Sequence, residues 1–229
     1  MFIAGKPAMK VGSSLIVADV HIGIAKDIQE RGIHIPAQSE SLAKRINDIG
    51  KYAGSRRLVL LGDVKHRIPV PSYHEGEEIR KFFSLLRFGK IIILKGNHDG
   101  RIENMVPEKV EVRRCLETGG YAFTHGHMNI STKKKTIVIG HNQPHVEFRD
   151  ELGARYTEPV WVRGPLRGAY KGKNIIMMPA FNELAGATIV NKDRLLGPIA
   201  KCVSKQKAHC YLLDGTDLGA ILDLGVRMG

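Results

Sequence analysis

The chain has 229 residues, 43% hydrophobic and 25% charged, with a formal net charge of +12 and a pI near 9.7. This balance is typical of a folded globular protein and argues against a disordered or collagen-like chain. No uncharged apolar run approaches the ~18 residues that a membrane helix needs, and residues 1–10 lack the apolar core of a secretion signal. We therefore expect a cytoplasmic protein without membrane association.

The charge and the cysteines narrow the possible partners and the redox setting. An excess of positive charge favours phosphate-bearing partners, nucleic acid among them. The cysteines, Cys115, Cys202 and Cys210, are odd in number, widely spaced and without a CxxC motif. This pattern disfavours both a disulfide framework and a thiolate zinc site.

Short apolar runs rich in β-branched residues predict seven buried strands. In chain order they are residues 14–18, 57–61, 90–94, 121–124, 136–139, 174–178 and 209–213. Apolar residues at helical spacing predict two helices, over 38–53, with Ser39 or Ser41 as N-cap, and over 74–88. The alternation of the first three strands with these helices predicts parallel pairing through crossover helices.

After residue 105 the helical periodicity fades, which predicts a second, mostly antiparallel sheet facing the first. We therefore predict an α/β fold of two facing mixed sheets flanked by helices. Residues 1–229 are expected to form a single domain. If the chain divides at all, residues 150–172, where Gly, Pro and Arg crowd together, are the expected place.

Potential metal ligands follow five of the predicted strands directly. They are Asp19 and His21 after the first, Asp63 after the second, Asn97, His98 and Asp99 after the third, His125 and His127 after the fourth, and His141, Gln143 and His145 after the fifth. Loops beyond the carboxyl ends of parallel strands converge on one crevice, so we expect these side chains to meet. Carboxylate, imidazole and amide donors without a thiolate suit Mn²⁺, Fe, Zn²⁺ or Ni²⁺ and disfavour a structural zinc site.

This series resembles the calcineurin-like metallophosphoesterase superfamily. The resemblance rests on DVH (19–21), GD (62–63), GNHD (96–99), THG (124–126) and GH (140–141), and it covers about residues 10–150. The string GDVKH (62–66) and the compact length resemble a small archaeal branch related to the nuclease subunits of double-strand-break repair complexes. The resemblance implies a four-layer sandwich and two divalent ions, with Mn²⁺ as the leading candidate and Fe, Ni²⁺ or Zn²⁺ as alternatives.

The family pattern also implies a role for each matching residue. It assigns Asp19 and His21 to the first ion, Asp63 to both ions as a bridge, and Asn97, His125 and His141 to the second ion. His98 matches a histidine that protonates the leaving oxygen or stabilises the transition state. Asp99 is expected to orient that imidazole and keep it protonated. A hydroxide bridging the ions would hydrolyse a phosphate ester, and we favour a phosphodiester.

Two departures from the family pattern leave alternatives open. Gln143 stands where the family has a second histidine, and its amide is a poorer ligand than imidazole, so either Gln143 or His145 completes the first ion's site. His66 and Arg67 stand where many phosphatases of the superfamily carry an acid–Arg pair. Arg67 is therefore a candidate for binding a substrate phosphate, with a surface arginine as the alternative.

Three further residues are weaker candidates, and a second class of function competes with the enzyme. His66 and His127 are candidates for the substrate pocket, and Glu183 for a position near the site. The competing function is a catalytically weakened nucleic-acid-binding or scaffold module on the same fold, which the net charge and Gln143 favour. The retained Asp63 and His98 favour the enzyme, whose substrate stays open between nucleic acid, a cyclic nucleotide and a small phosphodiester.

Overall fold

The first sheet contains all three strands that the sequence predicts before residue 105. In this computed structural model, residues 1–69, 72–150 and 152–225 are described. The sheet holds, in spatial order, β1 (Ala8–Val11), β2 (Ser14–Val17), β3 (Arg57–Leu60), β4 (Lys90–Leu94) and β5 (Val110–Arg113). Strands β2 to β5 run parallel, and β1 pairs with β2 in the antiparallel sense. The carboxyl ends of four strands therefore share one edge.

Three α-helices connect the parallel strands: α1 (Ile24–Glu30), α2 (Ser39–Tyr52) and α3 (Tyr73–Leu85). Helices α2 and α3 bury their apolar stripes in the same core as the outer face of the sheet. The hydroxyl of Ser72 caps α3 by accepting a hydrogen bond from Glu75 N at 3.1 Å. The predicted cap of α2 is wrong, since no side chain caps that helix and the Ser41 hydroxyl donates to the Gln38 carbonyl instead.

The second sheet is mixed and contains the remaining strands. They are β6 (Cys115–Thr118), β7 (Tyr121–Thr124), β8 (Thr136–Ile139), β9 (Pro144–Arg149), β10 (Arg155–Pro165), β11 (Asn174–Met177), β12 (Thr188–Ile189), β13 (His209–Leu212) and β14 (Asp217–Ala220). The spatial order is β12-β9-β10-β11-β8-β7-β6, and β13 pairs with both β10 and β14. Strands β7, β8 and β11 run parallel to one another. The strand β10 lies within the segment 150–172 and pairs with three neighbours.

The two sheets face each other across one apolar layer. Ile16, Val59 and Ile92 of the first sheet share this buried core with Val138 and Trp161 of the second. The outer face of the second sheet is covered, within the described residues, by 3₁₀ turns and loops over residues 195–203. The predicted α/β fold of two mixed sheets flanked by helices is confirmed, and its fourth layer is built from these short turns.

All seven predicted strands and both predicted helices are present, three strands with the predicted ends and the other elements with ends that differ by up to three residues. The sequence missed α1 and seven strands, because these segments are short or half-exposed. In β6, for example, exposed and half-buried residues alternate without a fully buried position. No helix in the described part of the chain is long and apolar enough to cross a membrane.

Candidate metal centre and active site

The predicted ligands meet where the carboxyl edges of the two sheets adjoin. Asp63, which follows β3, lies at the centre of the cluster. Its Oδ2 atom is 3.2 Å from His125 Nε2, 3.9 Å from His21 Nε2 and 4.0 Å from His98 Nε2. Side chains that are up to 104 residues apart in sequence, from His21 to His125, therefore surround one carboxylate.

The backbone at this site is held in an unfavourable conformation. Five non-glycine site residues have φ angles in the left-handed region: Asp19 (54°), His21 (45°), Asp63 (48°), His141 (64°) and Gln143 (45°). Such a residue costs on the order of 1–3 kcal/mol and persists only where the surrounding fold enforces it. Left-handed residues turn the chain sharply at the strand end and aim the side chain back across the sheet edge. Their concentration here is typical of a functional site.

Glycines leave the space in which the donor atoms sit. A Cβ atom on Gly96 would lie 2.2 Å from Asp63 Oδ1, and one on Gly140 would lie 2.7 Å from Asp19 Oδ2. Real Cβ atoms do not come this close to an oxygen, so any larger residue would displace the carboxylate. The glycines of the GNHD and GH strings are therefore required by the packing of the ligands themselves.

The imidazole of His125 is fixed in one orientation. Its Nδ1 donates a hydrogen bond to the Leu61 carbonyl at 2.9 Å, which leaves Nε2 facing Asp63 and, at 3.2 Å, Asn97 Oδ1. A second partner of this kind is what orients a metal-binding histidine. Burial lowers the pKa of His125, but the hydrogen bond and charge of Asp63 outweigh burial and raise it to about 9.

Two further histidines among the ligands, His21 and His141, are neutral near pH 7. Burial lowers the pKa of His21 to about 3, and burial with the nearby His125 charge lowers that of His141 to about 4. Neutral imidazole is the form that binds a metal ion. Burial raises the pKa of Asp19 to about 7, although the His141 amide donates to both its oxygens at 3.2 and 3.1 Å.

These residues fit divalent metal ions. The structure contains two groups of three ligand atoms, and the atoms within each group lie within 4.8 Å of one another. One group comes from Asp19, His21 and Asp63, and the other comes from Asp63, His125 and His141. Both groups contain Asp63, so one carboxylate is within reach of two ions. Buried carboxylates with imidazoles form a donor set that suits Mn²⁺, Fe, Zn²⁺ or Ni²⁺. A third group joins His21, His66 and His98.

The structure distinguishes Gln143 from His145. The amide end of Gln143 lies 2.7 Å from His21 Nε2, which places it beside the first group of ligands. His145 lies in β9 opposite Pro159, and its side chain lines a separate cleft with Arg45 and Glu183. Its Nδ1 is buried there and has no hydrogen-bond partner among the described residues. His145 therefore does not join the ligands.

Glu183 also lies apart from the ligands, contrary to the prediction. Its carboxylate forms an exposed ion pair with Arg45 at 2.9 Å. Asn182, the residue before it, is the one that approaches the site, because its side-chain amide donates to the Val20 carbonyl at 2.8 Å.

The predicted contact between Asp99 and His98 is wrong. The Asp99 carboxylate accepts hydrogen bonds from the backbone amides of Val64 (2.8 Å), Lys65 (3.2 Å) and Gly96 (2.8 Å). Neighbouring side chains on a non-helical segment point to different sides, and Asp99 points into the loops beneath the site. The carboxylate therefore ties the loop after β3 to the loop after β4.

The imidazole of His98 is oriented by a backbone carbonyl instead. Its Nδ1 donates to the carbonyl oxygen of His66, and its backbone N–H donates to Asp63 Oδ1 at 2.9 Å. The Nε2 atom consequently faces Asp63 from the partly open side of the cluster, where 22% of the His98 side chain is exposed.

Arg67 and His66 are placed by acidic residues that sequence reasoning missed. The Arg67 guanidinium pairs with Asp27 at 2.9 Å and with Glu30, so the prediction that it binds a substrate phosphate is not supported. His66 Nε2 lies 3.5 Å from Asp27, and His66 Nδ1 lies 3.4 Å from His21 Nδ1. Burial lowers the pKa of His66, against the charge of Asp27.

Glu75 is a further residue that the sequence did not single out. Its buried carboxylate oxygen Oε1 accepts hydrogen bonds from the backbone amides of His66 and Arg67, both at 2.8 Å. The only signal was the Ser72-x-x-Glu75 spacing, which has the form of a capping box. In that motif the glutamate bonds to the cap residue, whereas here it holds the loop that carries His66.

His127 lies beside the cluster without contacting Asp63. Its ring centroid is 5.4 Å from that of His125 and 6.2 Å from that of His141. Burial lowers the pKa of His127, and in the part of the chain that the structure describes its buried Nδ1 has no hydrogen-bond partner.

The two mixed sheets and the carboxylate–imidazole cluster across their shared edge define a metal-binding hydrolase. Comparison with protein families matches residues 13–176 to the calcineurin-like phosphoesterases. The chain belongs to this family, and it is a hydrolase that acts on phosphoester bonds.

Two solved structures align with this chain at low sequence identity. The nuclease MPE of Pseudomonas putida aligns with a TM-score of 0.58 and 20% identity, over 90% of this chain and 88% of that one. YfcE, a phosphoesterase from E. coli, aligns with a TM-score of 0.46 and 15% identity, over 90% of this chain and 96% of that one. No curated protein sequence gave a significant match.

Proposed function

We propose that this protein hydrolyses phosphodiesters with two divalent ions, Mn²⁺ foremost. The observation that carries this proposal is the membership of Asp63 in two separate groups of buried ligand atoms. Asp19, His21 and Gln143 would hold the first ion. Asn97, His125 and His141 would hold the second, and Asp63 would contact both.

Bound divalent ions would lower the pKa of water and neutralise charge on phosphoryl oxygens. The protein's own residues prepare the site for these ions and for the substrate in three ways. His21 and His141 stay neutral, and the Leu61 carbonyl keeps His125 Nε2 directed at the site. The His66 carbonyl holds His98 with Nε2 facing the cluster. When protonated, that nitrogen donates its proton to the leaving oxygen.

The preference for diesters follows from the charges around the site. A phosphate monoester carries more than one negative charge near pH 7, because its second pKa is about 6. A phosphatase with an arginine at the site neutralises that added charge. Here Arg67 is engaged by Asp27 and Glu30, which favours a singly charged diester.

A second candidate function is a weakened, non-catalytic module on the same fold. The observation that favours it is Gln143, an amide where the family has an imidazole. The string GDVKH (62–66) further supports the proposed relation to the archaeal branch and to repair nuclease subunits. Nucleic acid is thus a shared partner of both candidates, and only catalysis separates them.

The deciding experiment measures metal content and hydrolysis on the same samples. Chelator-treated protein is reloaded with Mn²⁺, analysed for metal, and assayed with bis-p-nitrophenyl phosphate and p-nitrophenyl phosphate. We expect faster hydrolysis of the diester, and we expect Asp63→Asn to lose both the activity and metal at both positions. Asp48→Asn removes an exposed carboxylate that pairs with Lys44 on α2 and serves as the matched control.

Two outcomes would contradict the proposal. A wild-type protein that binds two ions and hydrolyses neither ester would support the non-catalytic module. Faster hydrolysis of the monoester would overturn the preference for diesters.

A further inference from the structure

We propose that a basic cleft beside the metal centre binds the sugar–phosphate backbone of a single-stranded nucleic acid. The inference rests on the proposed function, because it treats that strand as the diester substrate. The cleft has a volume of about 730 Å³. It lies where β5 ends and the chain crosses to β6 of the second sheet, and its walls include Lys95, Arg113, Arg114, Cys115 and His127.

The cleft adjoins the metal centre. Gly96 lines it, and the next residue is Asn97, whose Oδ1 lies 3.2 Å from His125 Nε2. On the opposite wall, the ring centroid of His127 is 5.4 Å from that of His125. A strand with one phosphate at Asp63 would therefore enter the cleft between Gly96 and His127.

The charges in the cleft suit a polyanion. The ammonium of Lys95 pairs with Glu103 at 2.6 Å, and Arg113 pairs with Glu111. Arg114 is exposed and forms no ion pair with any residue in the described ranges, so its guanidinium is available to a ligand. The loop that forms one wall, which includes Ser131, is followed along the chain by Lys133, Lys134 and Lys135.

The dimensions favour a single strand over a duplex. A volume of several hundred Å³ is that of pockets for ligands of nucleotide size, whereas a duplex presents its phosphates on a much broader surface. The imidazole of His127 and the half-exposed side chain of Met128 supply faces against which an unpaired base packs. Arginine contacts to phosphates then give affinity without sequence preference.

The binding test uses chelator-treated full-length protein, so that no hydrolysis occurs. Fluorescence anisotropy with a short fluorescein-labelled oligothymidylate gives the affinity across a range of salt concentrations. We expect Arg114→Glu to weaken binding about tenfold, since a hydrogen bond to a charged group is lost. The salt dependence should also become weaker, with the negative slope of log K against log salt smaller in magnitude by about 0.7. Arg56→Glu makes the same charge change at an exposed arginine before β3, at the opposite edge of the sheet, and should bind normally.

A second measurement locates the strand without any substitution. Cys115 is an exposed thiol in the cleft, whereas Cys202 is half-buried and lies on the outer face of the second sheet. Alkylation by N-ethylmaleimide, read by mass spectrometry, should be slowed by the oligonucleotide at Cys115 and unchanged at Cys202.

The outcomes separate this inference from the proposed function. Equal affinity of Arg114→Glu and wild-type protein, or unprotected Cys115 in saturated protein, would overturn the cleft assignment whatever the esterase assay shows. Tighter binding of a duplex than of the single strand would overturn the choice of ligand. Failure to hydrolyse bis-p-nitrophenyl phosphate, with Cys115 protected, would instead overturn catalysis and leave the cleft as a binding site.

Discussion

Substitution of Asp99 by asparagine distinguishes a carboxylate that builds the site from one that acts on His98. The wild-type carboxylate is fully buried and accepts three backbone hydrogen bonds. Oδ1 accepts from the N–H groups of Val64 and Lys65, and Oδ2 accepts from the N–H group of Gly96. An asparagine side chain has only one oxygen acceptor and places an NH₂ group at the other position. In the better of its two orientations the asparagine oxygen still accepts the hydrogen bonds from the backbone N–H groups of Val64 and Lys65. Its NH₂ group then faces the Gly96 N–H, and two donors oppose each other.

The cost follows from the bonds that change. One hydrogen bond to a charged acceptor, worth roughly 1.5–3 kcal/mol, is lost, and the orphaned buried Gly96 N–H costs about 1–3 kcal/mol more. Removing a buried charge offsets part of this, because burial, followed by the charge of Asp63, already raises the pKa of Asp99. We expect the free energy of unfolding to fall by about 3 kcal/mol. For a chain of this size that lowers the melting temperature by roughly 6–12 °C.

The assay combines thermal unfolding with the pH dependence of diester hydrolysis. Asp214→Asn is the matched control, because Asp214 is exposed and accepts a backbone hydrogen bond from Thr216 within a turn. We expect the control to melt like wild-type protein. For Asp99→Asn we expect lower stability and weaker Mn²⁺ binding, with an unchanged shape of the pH–rate profile. An unchanged melting temperature together with a shifted pH–rate profile would refute this reasoning and show that Asp99 acts through His98.

Three further predictions concern catalysis, the first ion and the support of the site. His98→Ala should keep the metal content and lower the rate by roughly 10²–10⁴, the range for loss of general acid catalysis; loss of metal would show that His98 is a ligand. Gln143→His should tighten Mn²⁺ binding at the weaker position, because imidazole is the better ligand, whereas His145→Ala should leave titrated metal affinity unchanged. Asp27→Asn should lower the melting temperature at pH 7, because the hydrogen bond from Arg67 holds the pKa of Asp27 below its ordinary value. A carboxylate whose pKa is lowered in the folded state stabilises the folded protein at pH values above its unfolded pKa of about 3.9. The difference in melting temperature between Asp27→Asn and wild-type protein should therefore shrink as the pH falls from about 5 to about 3. A difference that grows on acidification would contradict this pairing.

The sequence by itself indicated the parallel pairing of three strands in the first half and the residues that gather at their carboxyl ends. Each of the runs 14–18, 57–61 and 90–94 has four consecutive apolar residues after one polar residue, which is typical of a strand covered on both faces. Helical periodicity between these runs required parallel pairing, and parallel pairing brings the strand ends to one edge. The proximity of Asp19, Asp63 and their partners was therefore predictable from local patterns alone.

Only the tertiary structure decided which side chain at the site contacts which partner. The GHNQPH string leaves both Gln143 and His145 available, and only the family spacing favours Gln143. The left-handed conformations of His141 and Gln143, imposed by packing against Asp19 and His21, turn Gln143 toward the ligands. His145, by contrast, is fixed in β9 opposite Pro159.

The supports of the site likewise depend on contacts between distant segments. Asp99 bonds to amides 34 and 35 residues away, and Arg67 pairs with Asp27 across 40 residues. No local periodicity encodes such pairs, because a carboxylate that accepts backbone hydrogen bonds has the same local sequence as one that faces solvent. The sequence thus set which residues reach the shared edge of the two sheets. The loops packed against one another there set the direction in which each residue points.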